Sequence, residues 1–178
     1  MSRVSIPSVD QSVDASKPLL AAVHKQLGVV PKLMRLVGHS PAALEAYLSL
    51  NGALAKGKLD AKLRERIALA VAEFNGCEYC LAAHDYLGRN VAKLSGDELD
   101  AARDFHCADV QADAALRFAR RVAESRSRVC DAELAALRAA GFDEASVVTV
   151  ALNVLTNFVN NVAQTDVDFP KVSARLAA

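Results

Sequence analysis

Apolar positions recur at helical spacing along nearly the whole chain, and no stretch sustains the period-two alternation of a half-buried strand. Ala and Leu, both strong helix formers, are abundant between the breaks. The spacing predicts helices over 15–27, 31–38, 41–56, 60–75, 77–88, 96–105, 110–125, 131–140 and 143–163, followed by an irregular tail. Start signals agree with these limits. Ser40-Pro41 supplies an N-cap and a proline at the first helical position. Asp60 suits the next cap, Ser95 with Glu98 forms a capping box, and Asp109, Asp131 and Asp143 each precede an apolar-periodic run. Gly57, Gly76, Gly88 and Gly141 read as stops. The run 67–72 is apolar on every side, and 147–155 nearly so, which predicts that both are central, buried helices.

Composition narrows the class. A length of 178 residues suits one domain, here 1–178 with an N-terminal arm of about 1–14 and a tail of about 164–178. A hydrophobic fraction of 52% fills a core and leaves apolar surface for a partner subunit. The 21 basic and 21 acidic residues balance, which argues against a nucleic-acid or anionic-membrane partner. The N-terminus lacks an apolar signal region, and no apolar run approaches the roughly 20 residues of a membrane span. The expected location is cytoplasmic, where thiols stay mostly reduced and the four cysteines are not structural staples. A close CxxC in that setting reads as redox or metal chemistry.

Cys77, Cys80 and His84 carry that chemistry. On a helix beginning at Cys77 their spacings place all three side chains on one face. Two thiols three residues apart at a helix start can approach disulfide distance, and Gly76 permits a sharp turn from the preceding helix. If Gly76 closes a tight antiparallel hairpin, Glu65 and His84 are offset by only about one turn, at about 1.5 Å of rise per residue. Glu65 shares its side of the helix with Ala68, Leu69 and Ala72, where a carboxylate needs a partner or a function. A line Glu65, His84, Cys80 follows, along which protons could move, directly or through a water. A thiolate is the nucleophile toward peroxide or disulfide, His84 can take its proton, and Glu65 can hold the imidazole. The second cysteine then closes a disulfide with the sulfenic acid formed on the first. The helix dipole favours Cys77 as the attacking thiol, whereas the base one turn away favours Cys80. The base weighs more, because a buried second cysteine needs a route for its proton.

Plainer readings stand beside these. CxxC with a downstream histidine could bind zinc, but three ligands on one helix need a fourth, and nothing in the spacing requires His106 or Cys107 to supply it. The pair could also be packed core. Cys107 and Cys130 read as core or interface residues, and His24, His39 and His106 as surface or helix-end residues. Asn153, Asn157, Asn160 and Asn161 are expected to bond neighbouring backbone or subunits, and Asp166 and Asp168 to organise the turn before Pro170. Arg120, Arg121, Arg126 and Arg128 read as a solvated face.

The stretch 59–84, with Arg64-Glu65, Ala68-Leu69-Ala70-Val71, Asn75-Gly76-Cys77, Tyr79-Cys80 and His84, resembles the AhpD-like alkylhydroperoxidase family within the carboxymuconolactone decarboxylase superfamily. The family spacing of Glu, eleven residues, CxxC, three residues and His is met without a gap. The tail, with Leu155-Thr156-Asn157-Phe158, Asn161 and Asp166-Val167-Asp168-Phe169-Pro170, resembles the branch of uncharacterised peroxidase-related proteins. The resemblance implies an all-α, AhpD-like fold with a central CxxC helix hairpin, and trimeric or hexameric homo-oligomers. It further implies a relay in which Glu65 and His84 activate Cys80 while Cys77 resolves. Better-known members carry a histidine just before the second cysteine, where it helps the relay. Tyr79 stands there in this chain, can still donate a hydrogen bond, and is a possible auxiliary residue. The expected function is a thiol-dependent peroxidase, with a hydroperoxide substrate, an external dithiol or disulfide reductant, and no metal or other cofactor. The alternatives are a disulfide-exchange or redox-sensing protein and, disfavoured because that branch works without the cysteine pair, a cofactor-free lyase of the decarboxylase type.

Overall fold

The computed structural model of the chain describes residues 3–158 and 168–175. Within them a 3-10 turn at Asp14–Ser16 precedes nine α-helices, and no strand occurs. The helices are α1 (Lys17–Leu27), α2 (Lys32–Val37), α3 (Pro41–Leu54), α4 (Ala61–Phe74), α5 (Glu78–Asn90), α6 (Gly96–Arg103), α7 (Val110–Glu124), α8 (Asp131–Ala139) and α9 (Glu144–Thr156). No helix among the described residues is long and apolar enough to cross a membrane.

The expectation for 67–72 holds. This run lies in α4, which packs against α5, α6, α7 and α9. All of 66–73 is buried, so two cores form on opposite sides of one helix. Ile67, Ala70 and Val71 pack with Leu116, Ala119 and Val150 on one side. Leu69 and Ala72 pack with Leu20, Leu44, Leu81 and Leu99 on the other. Each large aliphatic side chain so buried stabilises the fold by about 1.5–3 kcal/mol. The second core also holds Cys77, Tyr79 and Cys80, so the CxxC turn is anchored in a buried cluster.

The second predicted central helix is a correction. α9 buries Val150 and Val154 but leaves Val148 59% and Leu155 57% exposed. It lies outside α4 and α7, so only one stripe of its surface meets the core. It also stops at Thr156, where Asn157 turns its N–H back onto the Val154 carbonyl at 3.2 Å. The predicted continuation over 159–163 lies outside the described residues.

Most caps stand as read. Asp60, Asp109 and Asp143 each accept a backbone N–H three residues on, and Ser95 with Glu98 closes both halves of its capping box. Asp131, by contrast, is the first residue of α8 and Cys130 is the N-cap, its N–H donated to Glu133 at 2.8 Å. Gly88 is not a stop. It lies inside α5, where an added Cβ would sit 2.7 Å from Leu99 Cδ2, so its missing side chain lets α5 approach α6.

Candidate functional site

The site is built on the hairpin between α4 and α5. Gly76 adopts φ +62°, the left-handed conformation that glycine enters without steric cost. Its N–H donates to Glu73 O at 3.0 Å, and the N–H of Cys77 donates to Ala72 O at 2.9 Å. This paired arrangement is a Schellman closure of α4. Cys77 thus ends one helix and caps the next. It stands at the N-cap of α5 rather than inside it, and its sulfur accepts the N–H of Cys80 at 3.2 Å.

Cys77 and Cys80 are joined by a disulfide, with their Cα atoms 5.3 Å apart. Each residue is only 5% exposed. Glu65 reaches across the hairpin, and its Oε2 lies 2.8 Å from Nδ1 of His84. The offset estimated from helix rise anticipated this pairing, and the contact is direct. An ionised carboxylate only accepts, so in this contact Nδ1 is the donor, which leaves Nε2 as the acceptor whenever the ring is neutral. Both side chains remain partly accessible, at 24% for His84 and 22% for Glu65.

Tyr79 has a partner that spacing did not reveal. Its hydroxyl accepts the N–H of Leu33 at 3.4 Å and meets the carboxylate of Asp168. Burial, and then the charge of Asp168, push the phenol well above its ordinary pKa. Asp168 also accepts the N–H of Lys32 at 2.7 Å, so it tethers the tail to the start of α2. Phe169 packs edge-on against Tyr79 at 5.8 Å and also meets Tyr86 at 5.7 Å. Asp166 lies outside the described residues. Glu73, fully buried in α4, was missed because it follows an apolar run. It bonds Arg103 at 2.6 Å and accepts the backbone N–H of Arg175.

A cavity of about 80 Å³ borders the Glu65–His84 pair and is lined also by Tyr47, Asn51, Asn153 and Asn157. Asn153 and Asn157 bond the backbone as expected, to Thr149 O and Asn153 O at 2.8 and 2.9 Å. Asn160 and Asn161 lie outside the described residues. Cys107 is buried in the other core cluster, away from Cys77 and Cys80, and Cys130 is exposed. His24 and His39 are exposed, and His106 pairs with Asp113 at 2.6 Å. Arg120 and Arg121 are exposed and paired with Glu124 and Glu133.

Comparison with known proteins gives one short sequence match and several structures of similar fold. Over 45 residues the chain is 56% identical to an uncharacterised protein of Haemophilus influenzae, a match that spans 25% of this chain and 40% of that relative. The fold is similar to the crystal structure of an alkylhydroperoxidase AhpD core, an uncharacterised peroxidase-related protein from Ralstonia eutropha JMP134. That match has a TM-score of 0.78 and 26% identity over 90% of this chain and 87% of that one. An uncharacterised peroxidase-related protein from Silicibacter sp. TM1040 superposes with a TM-score of 0.79 and 23% identity, over 96% and 92% of the two chains. The debrominase Bmp8 has the same fold at 18% identity and a TM-score of 0.73, over 92% and 94%. Residues 41–125, from the first residue of α3 to the end of α7 and including the whole CxxC hairpin, match the carboxymuconolactone decarboxylase family. Residues 41–125 thus match the carboxymuconolactone decarboxylase family, and the described residues adopt an AhpD-like, all-α fold.

Proposed function

We propose that the chain is a thiol-dependent peroxidase whose reacting groups are Cys80, Cys77, His84 and Glu65. The observation that carries this reading is the direct contact of Glu65 on α4 with His84 on α5, the helix that begins at the Cys77–Cys80 disulfide. In the reduced protein Cys80 yields its proton to Nε2 of His84, while Glu65 holds the ring through Nδ1. The thiolate attacks the terminal oxygen of a hydroperoxide and the O–O bond breaks. The alkoxide leaves as an alcohol with the proton from His84, and Cys80 becomes a sulfenic acid. Cys77 then attacks the Cys80 sulfur, water departs, and the disulfide forms. An external dithiol returns two electrons and two protons and leaves as its own disulfide. Tyr79 is an auxiliary residue, placing the turn between the cysteines. The chain acts as one domain and needs no cofactor in this scheme.

Stopped-flow mixing of the reduced protein with cumene hydroperoxide tests both reaction and roles. Wild type and Cys77→Ser are expected to complete a rapid first turnover and Cys80→Ser to fail. Consumption no faster than by free cysteine would make disulfide exchange or redox sensing the better reading, since the pair serves that chemistry equally well. The likeness to a debrominase shows that the fold is shared beyond peroxidase-related proteins. Assembly as a trimer or hexamer belongs to the same proposal, supported by the exposed apolar stripe of α9, and light scattering checks it.

A further inference from the structure

Both cysteines are 5% exposed, yet reductive cycling requires an external thiolate to reach one sulfur along the S–S axis. Some element must move to admit it. The hairpin itself is a poor candidate, because Ala72 and Leu81 beside the pair are completely buried. The segment 168–175 is different. It has no regular secondary structure, and its apolar residues Phe169, Val172 and Ala174 pack only partly buried against the cluster that holds Cys77, Tyr79 and Cys80. Its contacts with described residues include Asp168 on Lys32 N and Tyr79, Phe169 on Tyr79 and Tyr86, Ser173 O on Arg103, and Arg175 on Glu73, Asp100 and Asp104. Local opening of so sparsely buried a segment costs far less than global unfolding.

We propose that segment 168–175 is a strap controlling thiol access to the Cys77–Cys80 pair, with Asp168 and Phe169 as positioning residues that grip Tyr79 between the cysteines; it rests on the reading that this pair cycles. When the strap lifts, one sulfur of an incoming dithiol attacks the disulfide, which breaks to a mixed disulfide and one protein thiolate. The second sulfur then displaces the other cysteine, so that the reductant leaves oxidised and both protein thiols are free.

Dithiothreitol is the probe, acting on the oxidised full-length protein, with brief alkylation of the still-folded protein and peptide mass measurement of Cys77, Cys80 and Cys107 over time. Phe169→Ala is expected to accelerate reduction of the pair roughly tenfold, equivalent to about 1.4 kcal/mol of opening free energy. Asp168→Asn should accelerate it in the same direction, and Phe169→Tyr should restore the wild-type rate. Cys107, buried in the other core, should stay unlabelled throughout. Rates within about twofold of wild type for both Phe169→Ala and Asp168→Asn, well short of the factor that 1.4 kcal/mol represents, would overturn the strap. So would parallel labelling of Cys107, which signals general loosening. If Phe169→Ala does not fold, the near-isosteric Asp168→Asn decides the matter alone. Reoxidation by peroxide is followed in the same samples. Its failure in every protein, alongside accelerated reduction, removes the peroxidase reading and leaves the strap.

Discussion

Nδ1 of His84 lies 2.8 Å from Oε2 of Glu65, across a hairpin whose turn is a single left-handed glycine. The contact orients the imidazole through Nδ1 and holds the ring one helical turn from Cys80. Glu65→Gln keeps an acceptor in place but removes the charge that stabilises a protonated ring. We expect roughly a tenfold loss in the rate of peroxide-driven disulfide formation, whereas His84→Ala, which removes the proposed base, should lose about 10²–10⁴. Single-turnover kinetics checks both, and equal losses would contradict the division of roles.

Tyr79 makes alkaline stability testable. Burial, then the charge of Asp168, raise its pKa in the folded chain above the unfolded value of about 10. Between those two values the unfolded chain has lost the proton and the folded chain keeps it. Stability should therefore be undiminished below pH ~10 and fall as pH rises toward the folded pKa. Tyr79→Phe should flatten this decline, as measured by denaturant unfolding at stepped pH.

Glu73 is a buried carboxylate whose charge is met by Arg103. Glu73→Ala leaves that guanidinium without its partner and releases a backbone contact of the tail. The expected loss is roughly 3 kcal/mol, the lower end for breaking a buried pair, because Arg103 lies close enough to the surface to regain some water. Urea unfolding measures it.

Gly88 lets α5 and α6 touch. Gly88→Val drives a branched side chain into Leu99, itself only 1% exposed, and should cost about 1–3 kcal/mol through overpacking. A thermal scan should show Tm lowered by roughly 2–4 °C for each kcal/mol. Leu99→Ala in the same chain should recover part of the loss, because it clears the atom that the new Cβ meets.

The amino-acid sequence by itself determined the helical class, most helix limits and the four residues of the proposed relay. These are local properties. Caps, left-handed glycines and side-chain spacing act over a few residues, and one tight hairpin suffices to pair Glu65 with His84. Tertiary structure decided the rest. Whether Gly88 ends a helix or admits a neighbour depends on Leu99, eleven residues on in another helix. Whether α9 is central depends on which of its faces meets α4 and α7. The grip of Asp168 and Phe169 on Tyr79 joins residues about ninety positions apart, and no periodicity encodes a contact made by an irregular segment. Local pattern thus specified the CxxC hairpin, and only packing revealed which segment lies against its cluster.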